Sequence, residues 1–355
     1  MISSFETKRF RGFEELKLED LRLVNIVVGR SASGKTALLE GVRLALGGTP
    51  TIAWNSNSIR GLFLPFQPNP TREQFDSLWS PLFFDFDIEQ AINFGITNSE
   101  GKKASLKIYF DKTNPTTPTL PGIPGMQTVM STIIPLAFER TNFDNNSSIL
   151  LGTINQQGHL QLDQGQELYP PAVFFSSTWQ INTHEIAGWF SQLSITNQEK
   201  RLLNVVNLEF PEIVDLSVQA PSNVPVLYAS VKPRSRKMPV SLISSGINKF
   251  IAVMMAILQF KGGAVIIDEI ENGIYYAMFP SFWEAMYQFA KESNTQLFLS
   301  THSWECLKAA VPLIEKKEND FCLIQISQAN GSSHAQTIRG RDAAAAIESD
   351  IEVRR

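Results

Sequence analysis

Residues 29–36 read Gly29-Arg30-Ser31-Ala32-Ser33-Gly34-Lys35-Thr36, and this octet narrows the fold of the 355-residue chain more than any other stretch. The string fits G-x-x-x-x-G-K-[ST] and lies between an apolar run, Leu23 to Val28, and a segment from Lys35 to Leu46. In that segment Leu38, Leu39, Val42, Ala45 and Leu46 recur at three- and four-residue steps. Strand, glycine turn and helix are therefore predicted in that order, with Gly47-Gly48 as the left-handed stop. Such a loop wraps its backbone N–H groups around phosphate oxygens, and the helix N-terminus adds positive potential. Gly29, Arg30, Ser31, Ala32, Ser33 and Gly34 are the predicted cradle. Lys35 is the group that reaches the β- and γ-phosphates, and Thr36 the hydroxyl that ligates Mg2+. A chance match in a chain this long is on the order of 1% from average residue usage.

Two further apolar strands end in polar residues. Ala264 to Ile267 is wholly apolar and is followed by Asp268-Glu269, within AVIIDEIENG. A strand of that composition is buried on both faces, and its carboxyl end is where ligands sit in α/β sheets. Asp268 there would hold Mg2+, and Glu269 would accept a proton from a water attacking the γ-phosphate; a merely solvated strand end is the alternative. Phe298 to Ser303, FLSTHS, is another strand tip and delivers His302, which could reach the same γ-phosphate or its water.

Around these motifs the pattern divides the chain. Short strands at Thr7 to Phe10 and Glu14 to Leu18 open it. Between about 50 and 170, β-like runs at Ala104 to Phe110, Thr132 to Phe138, Ile149 to Ile154 and Ala172 to Phe175 predict an antiparallel region. Pro115, Pro118, Pro121 and Pro124 mark an extended surface insertion inside it, their spacing also suiting a polyproline II ligand. Residues 180–220 turn helical, and Ile247 to Gln259 is apolar nearly all round, so that helix is buried. A partly parallel sheet is predicted from the alternation beyond it: a helix ending near Lys291, strand Gln296 to Leu299, a helix from Trp304, and strands at Phe321 to Ile326 and His334 to Ile338.

Composition sets limits. The longest apolar run, Phe250 to Leu258, is far short of the roughly 20 residues a bilayer helix needs, and MISSFETKRF has no signal-peptide core, so no membrane association is expected. A formal charge of −4 provides no global field for nucleic acid. Cys306 and Cys322 cannot build a disulfide framework and fit a reducing, cytoplasmic setting. Heptads are absent.

The order GRSASGKT, PVSLISSGINKF, AVIIDEIENG and STHS resembles the ABC-type ATPases of the RecF/SMC/OLD branch, and is especially similar to small bacterial AAA family ATPases with ABC-like heads. FRGFEEL from Phe10, followed by LVNIVVGR, and the terminal DIEVRR are similar to the same family. The resemblance implies an α/β P-loop NTPase fold: an ABC ATPase head with a mixed β-sheet nucleotide-binding lobe at 1–178 and 263–355 and a helical signature lobe at 179–262. It assigns phosphate and Mg2+ roles to Lys35 and Thr36, the second Mg2+ contact to Asp268, catalysis to Glu269 with Lys35, and the switch histidine to His302. In that family two heads sandwich two ATP molecules, each signature loop capping the γ-phosphate held by its partner. Ser241 to Gly246 falls at the signature position, so Ser245 and Gly246 would offer the cap; the segment departs from LSGGQ, and a serine-rich helix cap is the alternative. Gln180 is a candidate for the glutamine loop or a surface glutamine. The family's GLH is replaced by GIYY at Gly273 to Tyr276.

A basic cluster, Lys232, Arg234, Arg236 and Lys237, would suit phosphates of DNA or RNA, or would simply be a solvated loop. Trp179 and Trp189 could stack bases, although Trp at such spacings is more often core. SMC-like heptads and an OLD-type nuclease region are not expected. Three functional readings stay open: a regulatory ATPase that forms an ATP-dependent homodimer and acts on a separately encoded effector, such as an anti-phage nuclease or toxin; a RecF-like ATPase that clamps DNA; and a non-hydrolysing nucleotide sensor.

Overall fold

The structure, a computed structural model, describes residues 1–63, 71–117, 132–155, 157–178, 183–329 and 331–349. β1 (Ile2–Phe10) and β2 (Phe13–Leu18) form a hairpin, and β3 (Val24–Gly29) runs into α1 (Lys35–Gly47), α2 (Pro50–Ile59) and α3 (Arg72–Trp79). Next come β4 (Ile92–Asn98), β5 (Lys103–Phe110), β6 (Leu136–Thr141), β7 (Ser147–Ile154), β8 (Leu160–Leu162) and β9 (Ala172–Phe175). A second group consists of α4 (Thr183–Ile195), α5 (Glu199–Glu209), β10 (Ile213–Gln219), β11 (Val226–Val231), β12 (Met238–Pro239) and α6 (Ser245–Gln259). β13 (Ala264–Ile267), α7 (Phe279–Ser293), β14 (Gln296–Ser300), α8 (Trp304–Lys316), β15 (Phe321–Ala329), β16 (Ser332–Arg339) and α9 (Gly340–Glu348) complete the order.

Among the described residues these strands form three sheets. The central one runs β16-β15-β3-β14-β13-β9, parallel throughout except for the antiparallel β15–β16 hairpin. β3, β13 and β14 are buried at every residue, which is why their sequences are near-continuous apolar runs. The second sheet, β2-β1-β4-β5-β6-β7-β8, is antiparallel, and β5 alternates buried and exposed residues as a one-faced strand must. α1 lies between the two: Leu38, Leu39 and Val42 share one apolar cluster with Phe5, Phe94 and Ile108 from the antiparallel sheet and with Val27, Ile266 and Phe298 from the central one.

Gln296 ties the two sheets together. It is fully buried at the start of β14, accepts from the Ile2 N–H at 2.9 Å, and donates to the Ile2 and Arg22 carbonyls at 2.9 and 2.7 Å.

Between β9 and β13 the helices α4, α5 and α6 are present as the sequence suggests, but β10-β11-β12 form a third, antiparallel sheet where only helix is expected. A register irregularity between Ile213 and Asp215 breaks the alternation of β10, so no period of two is there to read. α6 is as apolar as expected, with every residue from 250 to 257 fully buried. α2 and α3 stand where only loose β-like runs are expected. Pro50 at the first position starts α2, and a capping box between Thr71 and Gln74 starts α3, both being local signals rather than periodic ones. Trp189 is buried against Phe175 and Phe260, so it belongs to the core. Trp179, Gln180, Pro118, Pro121, Pro124 and the terminal DIEVRR segment lie outside the described residues. No helix among the described residues is long and apolar enough to cross a membrane.

Gln296→Leu keeps the volume of the side chain and leaves the backbone N–H and C=O of Ile2 unpaired in the interior. It should lower unfolding stability by about 3 kcal/mol, read as a fall in the urea midpoint at unchanged slope.

Candidate functional site

The loop from Gly29 to Lys35 is shaped by two left-handed residues, Ala32 (φ 62°) and Gly34 (φ 110°), and is backed by the β15–β16 hairpin, where Ser333 Oγ donates to the Ser33 carbonyl at 2.8 Å. Lys35 curls back over it. Its Nζ donates to the carbonyls of Gly29 and Arg30, both at 2.8 Å, and the side chain is only 4% exposed. Burial pushes its pKa down to about 8, against the upward pull of Asp268, Glu269 and Glu271. The lysine is thus held at the loop by two carbonyls, which a phosphate oxygen can replace.

Asp268, buried at the end of β13, joins the loop to the neighbouring strand. Its Oδ2 accepts from Thr36 Oγ1 at 2.8 Å and its Oδ1 from Ser300 Oγ at 2.5 Å. Ser300 Oγ in turn accepts from the Glu269 N–H at 2.8 Å. Glu269 is in the left-handed region (φ 51°), a conformation that costs a non-glycine residue about 1–2 kcal/mol and is retained where surroundings enforce it. Those surroundings are Ser300 on its N–H, Lys249 Nζ donating to its carbonyl at 2.9 Å, and Asn272 Nδ2 donating to its Oε2 at 2.5 Å. The remaining carboxylate oxygen, Oε1, is 3.9 Å from His302 Nε2.

Five of the residues singled out from sequence, Lys35, Thr36, Asp268, Glu269 and His302, are therefore drawn together from three separate segments. Lys35, Thr36 and His302 line one cleft of about 460 Å³, with Gly34 and Ala32 beside them. Ser245 and Gly246 do not line it. They form the first turn of α6, where Ser244 Oγ accepts from the Ile247 N–H at 3.1 Å; Ser245 is exposed. A Cβ on Gly246 would collide with the Gly273 carbonyl oxygen, so α6 sits directly on the loop that follows the acidic strand. Beyond that loop Tyr275 and Tyr276 are mostly exposed, as is Leu242.

Several residues escaped the sequence reading. Glu271 Oε1 accepts from the backbone N–H groups of His302 and Ser303 at 2.7 and 3.0 Å, which fixes the turn that carries His302 into α8. Lys249 on α6 is pushed down to about 8 by burial, with Glu271 the strongest upward pull. Arg11 and Arg60 line the cleft as well. Both pair with the buried Glu40, Arg11 Nε at 2.8 Å and Arg60 through two bonds of 2.9 Å. Burial pushes the Arg11 guanidinium down to about 10, with Glu40 opposing. Glu271, Ser300 and Arg11 all lie inside motifs quoted from sequence, but their residue types alone carry no role.

Thr36 Oγ1 and Asp268 Oδ2 are hard oxygen donors meeting at the mouth of a phosphate loop, which suits Mg2+ held by one carboxylate, one hydroxyl and nucleotide oxygens.

A glycine loop opens a helix in a parallel sheet, and the next two strand tips present Asp268-Glu269 and His302; this is the arrangement of a P-loop ATPase fold. A family model described as "AAA domain, putative AbiEii toxin, Type IV TA system" matches residues 184–306, a span that contains Ser245, Gly246, Asp268, Glu269 and His302. Over 356 residues the chain is 24% identical to a Helicobacter pylori protein named ATP/GTP phosphatase, covering 92% of this chain and 94% of that protein. Among solved structures it is similar to an Smc head bound to the C-terminal winged-helix domain of ScpA, at 13% identity and TM-score 0.49, over 95% of this chain and 98% of that one. The SMC head domain of Thermotoga maritima gives 12% identity and TM-score 0.43 over the same shares.

Glu271→Ala should leave the His302 amide unpaired, whereas the Ser303 N–H keeps Thr301 Oγ1 at 3.1 Å as an acceptor. Hydrogen exchange is expected to accelerate at the His302 amide and less at Ser303, and thermal unfolding to show a loss of about 2 kcal/mol.

Proposed function

We propose that this chain hydrolyses ATP with Mg2+ at the cleft around Lys35, and that nucleotide joins two copies head to head. The observation that carries the reading is the convergence of Thr36 on Asp268 at 2.8 Å and of His302 on Glu269 at 3.9 Å, across three segments remote in sequence. The name of the Helicobacter pylori relative, ATP/GTP phosphatase, supports the same chemistry.

In this reading the loop N–H groups and Lys35 Nζ take the β- and γ-phosphates, Lys35 exchanging its two carbonyl partners for phosphate oxygens. Thr36 and Asp268 hold Mg2+, which supplies charge neutralisation on the phosphates. Glu269 faces the attacking water and accepts its proton as the oxygen bonds to the γ-phosphorus and the bond to the β–γ bridging oxygen breaks. His302, 3.9 Å from that carboxylate, orients the water or the γ-phosphate. A positioned base of this kind is worth about 10²–10⁴ in rate.

Dimerisation is supported by the position of the signature segment. Ser245 opens α6 at the surface and does not line the cleft of its own chain, so in this reading it and Gly246 cap a γ-phosphate held by another copy. Exposed Leu242, Tyr275 and Tyr276 beside that segment provide apolar contact area. A separately encoded effector, in anti-phage defence or elsewhere, would then read the joined and separated states. The DNA-clamp reading is favoured by one feature: Lys232, Arg234 and Arg236 are exposed on a loop just before β12, although Lys237 is engaged by Asp215 at 2.7 Å. ATP-dependent, salt-sensitive DNA binding lost in Arg234→Ala/Arg236→Ala would establish it.

Glu269→Gln should retain ATP binding while turnover falls by two to four orders of magnitude, measured by phosphate release. In the same variant ATP should double the mass seen by light scattering. Unchanged turnover would remove Glu269 as the base, and a persistent monomer would remove the head-to-head arrangement.

A further inference from the structure

α6 reaches the strand tips from one side through Lys249. The helix is seated firmly: Phe250 to Ile257 are fully buried and share a cluster with Val265 and Ile267 of β13 and with Leu297 and Leu299 of β14. It therefore rests on the two strands that lead to Asp268, Glu269 and His302. Its first turn comes closer still, because a Cβ on Gly246 would collide with the Gly273 carbonyl oxygen. Lys249 lies three residues further on, along the same face of the helix. Gly246 thus meets the far end of the turn 269–273, and Lys249 the near end, with its Nζ donating to the Glu269 carbonyl at 2.9 Å.

Peptide units are planar, so the backbone around a residue has two soft angles, and holding the units on either side of it fixes where its side chain departs. Both units around Glu269 are held. On the near side its N–H donates to Ser300 Oγ at 2.8 Å. On the far side the Ile270 N–H donates to the Ser300 carbonyl at 3.0 Å, while the Glu269 carbonyl accepts from Lys249 Nζ and, at 3.1 Å, from the Asn272 N–H. Ser300 belongs to β14 and Asn272 to the turn itself, so Lys249 is what α6 contributes. The conformation held in this way is left-handed, with φ 51°. Its steric cost alone depopulates it roughly 5- to 30-fold in a non-glycine residue. A charge-assisted hydrogen bond, about twice as strong as a neutral one, is the kind of contact that offsets such a cost.

Building on the reading that Glu269 is the base, we propose that Lys249 is its positioning residue: by gripping the Glu269 carbonyl it keeps the peptide in the left-handed turn and the carboxylate facing His302. Lys249 does not line the cleft, so its effect on the reaction runs through Glu269. Without the grip, the peptide is free to leave the left-handed region and carry the carboxylate away from the attacking water. Phosphate binding at Lys35 and Thr36 is untouched by that movement. The consequence therefore falls on the rate of the chemical step and not on the affinity for ATP.

Lys249→Met keeps the length of the side chain and removes the donor; Lys249→Gln, which stays polar at this half-buried position, is the second variant, with the same expectations. Single-turnover phosphate release and ATP titration calorimetry are measured on the full chain with Mg2+, for the parent, each Lys249 variant, Glu269→Gln and the double variants. Loss of Lys249 should slow the reaction about 10- to 100-fold, the scale of a small misplacement of a catalytic group, and change ATP affinity by less than about twofold. In the Glu269→Gln background the same loss should leave the residual rate unchanged, because the group being positioned is gone. An undiminished rate overturns the proposal, as does an equal loss in both backgrounds, which would give Lys249 an effect of its own. A parallel fall in ATP affinity overturns it too, making Lys249 a support of the whole site. Failure of the underlying reading has a separate signature: Glu269→Gln alone would then turn over at the parent rate.

Discussion

Asp268 is the joint on which the arrangement hangs. One carboxylate oxygen binds the hydroxyl that begins α1 and the other binds the hydroxyl that ends β14, so three segments remote in sequence are registered to within a hydrogen bond. A carboxylate buried among hydroxyls, away from water, is costly unless cationic charge is near, and Lys35 is the cation that Asp268 holds up against its own burial. The two groups therefore depend on each other electrostatically even though each spends its hydrogen bonds elsewhere. The same serine that binds Asp268 also receives the N–H of Glu269, so the residue proposed to take the proton is set by the residue proposed to hold the metal.

Much of this frame is legible in the linear sequence because its physics is local. A strand buried on both faces must be continuously apolar, and β3, β13 and β14 each show that run with polar residues at the tip. The glycine loop announces itself through spacing, and α6 through apolar residues on every side. Where the physics is not local, reading fails. β10 pairs with β11 through a register irregularity between Ile213 and Asp215, which breaks the period-two pattern that would announce a strand. Pro50 and the Thr71–Gln74 capping box do mark helix starts, but they sit among short runs that have no period.

The same distinction separates the legible site residues from the missed ones. Lys35, Thr36, Asp268, Glu269 and His302 are marked by position in the sequence, each at a loop or strand end where chemistry is expected. Glu271, Lys249 and Ser300 act on backbone groups of other residues, and nothing in a glutamate, lysine or serine codon neighbourhood says which distant amide or carbonyl it will meet.

α6 invites a mechanical view. From 250 to 257 it is enclosed on all sides, its first turn emerges at the surface at Ser245, and one turn further in Lys249 holds the carbonyl of Glu269. Close-packed interiors compress little, so a rod seated in one has no slack in which to dissipate a push. Pressure on the exposed tip of such a rod is delivered inward to the peptide it grips, much as a plunger passes a touch from a panel to the latch behind it.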